Sequence, residues 1–186
     1  MENGNRSNMI LLIQIQNQKF HYLEFVKPIE DILKGNKIKF KSTHYKKMNK
    51  KFISKSDKII ICGTSLKDSI FLENLALFSW IKEFNKPILG ICGGMHILGL
   101  TFDGILKKQQ EIGLIDINFN KKFLGKYGKI QVYELHNYFM KSDEFEVFAY
   151  SENCPQAIKH KQKPFFGVLF HPEVRNKDII VNFANF

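Results

Sequence analysis

The run Pro87-Ile88-Leu89-Gly90-Ile91-Cys92-Gly93-Gly94-Met95-His96 leaves this chain few ways to fold. Residues 87–91 read as a buried strand and residues 95–100 as an apolar, helix-compatible stretch, with only Cys92-Gly93-Gly94 between them. A strand that enters a helix through so short a connection must turn sharply. The turn strains the backbone at its apex and brings neighbouring segments close, and Gly90, Gly93 and Gly94 lack the side chains that would obstruct this. The Cys92 thiol would then lie at a helix N-terminus, whose partial positive charge and free N–H groups favour a thiolate and later an oxyanion. By itself the motif suits a small buried cysteine in a tight turn equally well.

The surrounding sequence repeats the strand-helix alternation. Residues 9–15 read as a buried strand, 22–33 as a helix with apolar residues at helical spacing, 37–42 as a second strand and 58–62 as a third, ended by Gly63. Residues 69–84 carry the next helical pattern. Strands alternating with helices imply a parallel sheet covered on both faces, the α/β class. In the second half, residues 111–119, 129–135, 145–150 and 165–170 are short strand-like runs with few helical stretches between them, so an antiparallel extension is expected, closed by a helix over 178–186. The fold expected is a flavodoxin-like three-layer sandwich. A chain of 186 residues suits one domain. We expect a disordered extension over 1–8 and a single domain over 9–186.

A second motif completes a chemical constellation. In Phe166-Gly167-Val168-Leu169-Phe170-His171-Pro172-Glu173 an apolar strand ends in a histidine two residues before a glutamate. A cysteine nucleophile needs an imidazole within hydrogen-bond reach, and the imidazole needs a carboxylate to fix its tautomer. His-Pro-Glu alone is only a turn. Roughly 80 residues after a glycine-flanked cysteine on a strand end, it is far more specific.

These two motifs resemble those of the class I, triad-type glutamine amidotransferases. The family's G-I-C-x-G-x-Q matches GICGGMH except at His96, and its G-V-Q-F-H-P-E matches GVLFHPE except at Leu169. The resemblance runs from Met9 onward, and within the family the stretch AIKHKQKPFFGVLFHPEV is most similar to the separate glutaminase subunit of GMP synthase. It implies Cys92 as nucleophile, His171 as base, Glu173 as its orienter, and the Gly63 and Gly93 N–H groups as the oxyanion hole. It also implies substrate contacts from His96, in place of the family's glutamine, and from Leu135-His136, in place of a Ser-His pair. Gly63-Thr64-Ser65 stands where the family has Gly-Gly-Pro. The implied substrate is glutamine, no cofactor is required, and the ammonia goes to a separate ATP-dependent synthetase, because this chain has no P-loop. Two other readings remain: a cysteine hydrolase of γ-glutamyl compounds or peptides, and a noncatalytic binding module with the same fold.

Composition narrows the rest. The three cysteines form no C-x-x-C pair, which speaks against a disulfide framework and a zinc site, and Cys62 and Cys154 read as inert structural thiols. His21, His44 and His160 have no carboxylate or cysteine at ligand spacing, so no metal is expected. Of the net charge of +10, residues 34–58 supply most, with ten lysines against Asp57; this reads as a solvated face, without any nucleic-acid-binding motif. Apolar runs are far shorter than the roughly 20 residues of a membrane span. With no signal or transit pattern at the start, cytoplasm is the expected location.

Overall fold

The computed structural model describes residues 9–186; the extension expected over 1–8 lies outside them. Nine strands form one sheet: β1 (Ile10–Gln14), β2 (Phe40–His44), β3 (Lys58–Ile61), β4 (Ile88–Ile91), β5 (Ile105–Phe123), β6 (Lys126–Lys141), β7 (Phe145–Tyr150), β8 (Pro155–His160) and β9 (Phe165–Val168). Their order is β2-β1-β3-β4-β9-β8-β7-β5-β6. The first five are parallel neighbours and the remaining pairings are antiparallel. The parallel part follows the doubly wound order that puts ligands at the carboxyl ends of its central strands.

Alternation of side chains along each strand sends the core to both faces. On one face Ile10, Leu12, Ile60, Leu89 and Ile91 meet α2 (Lys27–Gly35), which follows the short α1 (His21–Phe25), and the C-terminal α5 (Asp178–Ala184). On the other, Leu11, Ile13, Ile59, Ile61 and Ile88 meet α4 (Gly93–Thr101) and a 3₁₀ segment, Ile70–Glu83. The three-layer sandwich with an antiparallel extension is thus present.

Several elements differ from the sequence expectation. The helix expected over 69–84 is a 3₁₀ segment broken at Asn74, whose φ of −116° and ψ of 24° are not helical. Asn74 Nδ2 donates to the Ile70 carbonyl, as side chains that compete with backbone hydrogen bonds do. Strand β2 starts at Phe40 rather than at residue 37, because Lys37 adopts φ +56° where the chain leaves α2. The runs at 111–119 and 129–135 are the middles of two long hairpin strands, joined at Leu124-Gly125, both with positive φ. Strand β9 stops at Val168, so residues 169–173 leave the sheet. A short α3 (Lys50–Lys55) and the strand β8 have no counterpart in the expectation. Within the lysine-rich segment Lys58 is buried, and its Nζ donates to the Ala184 carbonyl 2.5 Å away, so this residue is not part of a solvated face.

Candidate active site

Cys92 sits between β4 and α4 with φ 47° and ψ −105°, a conformation that non-glycine residues avoid. Such a residue stores on the order of 1–3 kcal/mol of strain, which the surrounding structure must hold in place. The packing shows how. A Cβ on Gly94 would stand 2.2 Å from the Ile61 carbonyl oxygen, and one on Gly90 would stand 2.5 Å from the Gly94 carbonyl. Only glycines let β4, α4 and β3 approach this closely. Cys92 N–H donates to the Val168 carbonyl of β9 at 2.8 Å, fixing the apex against the neighbouring strand.

That neighbouring strand delivers the second motif. Beyond the end of β9, His171 N–H donates to the Tyr133 carbonyl of β6 at 2.9 Å. Its Nδ1 lies 2.7 Å from Glu173 Oε1, and both side chains are buried. A carboxylate accepts, so Nδ1 carries the proton and Nε2 is the free basic nitrogen. Nε2 makes no hydrogen bond among the described residues. Burial alone would push the imidazole pKa down, but the Glu173 charge and then that of Cys92 outweigh it and hold the pKa well above the ordinary value. The Phe25 ring packs on the imidazole at 5.2 Å between centroids. Cys92, His171 and Glu173 therefore converge as their residue types require.

Gly63 follows β3 on the other side of the cysteine. A Cβ there would lie 2.8 Å from His171 Cε1 and 3.4 Å from Cys92 Cβ, so the missing side chain is what lets this backbone reach both. Gly93 opens α4, and a first-turn N–H has no intrahelical acceptor. Gly63 thus lies beside Cys92 and His171, and Gly93 directly follows the cysteine in the first turn of α4.

A cavity of about 210 Å³ is lined by Cys92, Gly93, His96, Leu135, His136 and the 64–66 loop among others. It is smaller than the roughly 300–1,000 Å³ of drug-sized sites, a volume for a small metabolite. A larger cavity of about 860 Å³ adjoins it across Ser65, Leu66, Asp68 and Leu135 but lacks the cysteine. His96 is buried one turn into α4, with Nε2 3.0 Å from the Tyr138 carbonyl oxygen. The carbonyl can only accept, so Nε2 is protonated and Nδ1 remains as the acceptor for a ligand. Burial pushes its pKa down to about 4, which keeps the ring neutral at pH 7. Leu135 presents its carbonyl oxygen to the Cys92 sulfur at 3.7 Å.

His136 is placed differently from a substrate contact. It lines the cavity, while its Nδ1 lies 3.1 Å from the Gln109 carbonyl and its Nε2 faces Glu111 and Glu134, so both nitrogens point to protein groups rather than into the cavity. Three residues without a motif also shape the site. Asp68 Oδ2 accepts from Asn17 N–H at 2.7 Å and from the Thr64 hydroxyl at 3.1 Å, bracing the loop after Gly63. Tyr133 and Tyr138 reach His171 and His96 through backbone carbonyls, which leave no trace in residue type.

Comparison with known proteins agrees with this geometry. Residues 17–182 match the family model described as glutamine amidotransferase class-I. A Pyrococcus furiosus protein named as a glutamine-hydrolysing GMP synthase subunit is 38% identical over 134 residues, 66% of this chain and 70% of that one. The protein of the same name in Picrophilus torridus is 33% identical over 135 residues, 68% of this chain and 72% of the relative. In Pyrococcus abyssi and Thermococcus kodakarensis the match spans 61% and 64% of the relatives' length. Among solved structures, a Thermoplasma acidophilum protein described as a candidate GMP synthase subunit superposes with a TM-score of 0.83 at 24% identity, covering 95% of this chain and 92% of that chain. A Thermotoga maritima glutamine amidotransferase has a TM-score of 0.71 at 18% identity, over 90% of this chain and 76% of that one; at these identities the two structures speak for the fold. From the matched span and these relatives, the chain belongs to the class I glutamine amidotransferase family.

Proposed function

We propose that the chain is a glutaminase that releases ammonia from the glutamine side chain for a separate ATP-dependent synthetase, of the GMP synthase type. The observation that carries this is the meeting of Cys92, on a strained strand-to-helix turn, with the His171–Glu173 pair 2.7 Å apart. Cys92 thiolate attacks the amide carbonyl carbon, and the carbonyl oxygen becomes an oxyanion facing the Gly63 and Gly93 N–H groups. His171 Nε2, which takes up the Cys92 proton as the thiolate forms, gives it to the departing nitrogen, the C–N bond breaks and ammonia leaves. Water then attacks the γ-glutamyl thioester while His171 takes its proton, releasing glutamate and regenerating the Cys92 thiolate beside the protonated imidazole. Glu173 keeps the ring's tautomer fixed through both steps. A neutral His96 would receive a substrate N–H through Nδ1, a role compatible with the 210 Å³ cavity.

The GMP synthase assignment draws on the archaeal relatives at 33–38% identity. Mass spectrometry of the chain mixed with glutamine should detect a γ-glutamyl adduct on Cys92 and free ammonia, and mixing with a synthetase partner should increase turnover. No adduct and no ammonia in either condition would remove the assignment. Turnover of γ-glutamyl peptides in preference to glutamine would instead select a γ-glutamyl hydrolase.

A further inference from the structure

Behind the strand that walls the cavity lies a polar cluster that glutamine hydrolysis does not use. Glu111 of β5 and His136 of β6 are direct cross-strand partners. His136 Nε2 is 3.2 Å from Glu111 Oε2, and Cys154 Sγ, from the turn between β7 and β8, is 3.6 Å from the same oxygen. The three ligand-capable atoms lie within 4.8 Å of one another. Zinc bonds of about 2.0–2.3 Å put neighbouring ligand atoms of a tetrahedron roughly 3.3–3.8 Å apart, close to the 3.2 and 3.6 Å of the two contacts that Glu111 Oε2 makes.

Glu134 is the independent indication. It is 0% exposed, neither of its carboxylate oxygens makes a hydrogen bond among the described residues, and Oε2 lies 3.4 Å from His136 Nε2. The tautomer of His136 sharpens the point. Its Nδ1 faces the Gln109 carbonyl at 3.1 Å, so that nitrogen carries the proton and Nε2 turns a lone pair toward two carboxylates. Acceptors facing acceptors in a buried space need a proton or a cation between them.

We propose that Glu111, His136 and Cys154, with Glu134 beside them, bind one divalent transition-metal ion of the zinc kind, a structural cation that ties β5, β6 and the β7–β8 turn together. Mixed imidazole, thiolate and carboxylate ligands suit zinc, whereas magnesium and calcium prefer oxygen alone. The surroundings hold the ligands as metal sites do. Nδ1 of His136 is anchored on a backbone carbonyl, while Glu111 Oε1 accepts from the Ser151 hydroxyl and Asn153 Nδ2, each at 2.8 Å, and Oε2 from Gln156 Nε2 at 2.5 Å. Without a cation, burial and then the Glu111 charge push Cys154 up to about 12 and Glu134 up to about 8, so the site would hold neutral groups; a metal reverses that preference. The location gives the ion a role. Glu134 and His136 alternate along β6 with Tyr133 and Leu135, whose carbonyls meet His171 N–H and the Cys92 sulfur.

The proposal is independent of the glutaminase assignment, and its test reads metal rather than turnover. Chelator-treated full-length protein titrated with Co²⁺ should take up one equivalent, with a near-ultraviolet thiolate-to-cobalt band and the visible bands of a tetrahedral ion, all displaced by zinc. The thiolate band should vanish in Cys154→Ser and persist in Cys92→Ser. Zinc at a hundredfold above its Kd should raise Tm by about 5–10 °C. Should Cys154→Ser not fold, the near-isosteric Glu134→Gln replaces it and should weaken cobalt binding at least about tenfold. Absence of stoichiometric binding, a band that survives Cys154→Ser or is lost in Cys92→Ser, or unchanged affinity in Glu134→Gln would overturn the site.

Discussion

The parallel and antiparallel halves of the sheet divide the work between them. In the parallel half, β1, β3, β4 and β9 are apolar and buried on both faces, and their ends deliver Gly63, Cys92, His171 and Glu173. In the antiparallel half, β6 contributes carbonyl oxygens and the Leu135 wall on one side and a buried polar cluster on the other. In the proposed reaction the reacting groups come from dry strand ends, while the surface facing the substrate is borrowed from a long hairpin. Substitutions in the first half should therefore abolish the chemistry, and those facing the second should alter recognition.

The largest effect belongs to Cys92→Ser, which should lower glutamine hydrolysis by at least about 10³-fold with the fold retained, since serine is close in shape but lacks thiolate character. Wild-type turnover in that variant would end the division of labour at its first step. His171→Ala should cost roughly 10²- to 10⁴-fold in kcat, through loss of proton transfer. Glu173→Ala should be milder, because the ring remains; equal losses would mean that Glu173 does more than orient it.

Packing offers a second contrast between the halves. An added Cβ at Gly94 meets the Ile61 carbonyl oxygen at 2.2 Å, whereas one at Gly128, in the hairpin, meets nothing within 4 Å and suffers only from a φ of +73°. Gly94→Ala should thus destabilise by about 1–3 kcal/mol or more, and Gly128→Ala by about 1–2 kcal/mol. Thermal unfolding of both variants compares them, and a larger loss at Gly128 would show that the elbow is looser than its geometry.

His96 lies where the halves meet, from α4 to the Tyr138 carbonyl. Burial lowers its folded pKa to about 4, so the fold favours the neutral ring. Its contribution to stability is then fully present above the unfolded pKa of roughly 6.5 and is lost as pH falls toward 4. His96→Gln should remove that part of the acid sensitivity, a difference of about 2 kcal/mol between the two proteins near pH 4.5. The same variant should lower KM for glutamine with little change in kcat, since an amide offers both a donor and an acceptor. A collapse of kcat at unchanged KM would make His96 part of the chemistry instead.

How far the sequence is legible follows the same boundary. Apolar runs in β1, β3 and β4 announce themselves because both faces are buried, and Cys92 and the His171–Glu173 pair stand where those runs stop. Strand β8, Pro155–His160, opens on proline and mixes Gln and Lys with its apolar residues, so its pattern is weak. The six residues of α3 contain three lysines and are too few to show a period. Long β5 looks shorter than it is, because the polar runs Lys107-Lys108-Gln109-Gln110 and Lys121-Lys122 break its alternation near both ends. The cluster of Glu111, His136 and Cys154 is drawn from three distant positions with no spacing to betray it. Cys154, read as an inert thiol, and His136, read as a substrate contact, meet only through the register of the hairpin.

The smallest expected effect concerns the lysine-rich segment on the opposite edge of the sheet from β6. It includes β2, the edge strand of the parallel half, and α3. Some of its charge is used internally: Lys41 Nζ stands 3.7 Å above the Phe52 ring, and Lys58 is buried. A synthetase that receives ammonia from Cys92 must cover the cavity bounded by Ser65, Leu66 and β6 residues Leu135 and Tyr138. That places the centre of such a contact away from the β2 edge. Charges at the rim of an interface influence the association rate and little else. Raising salt from about 50 to 500 mM, which shortens the Debye length from roughly 14 to 4 Å, should therefore change the Kd for the synthetase by less than about threefold. Calorimetric titration at both ionic strengths reads this directly. A tenfold or greater weakening, abolished when Lys46, Lys47, Lys50 and Lys51 are changed to glutamine, would move the docking face to the β2 edge and give the parallel half a share in recognition.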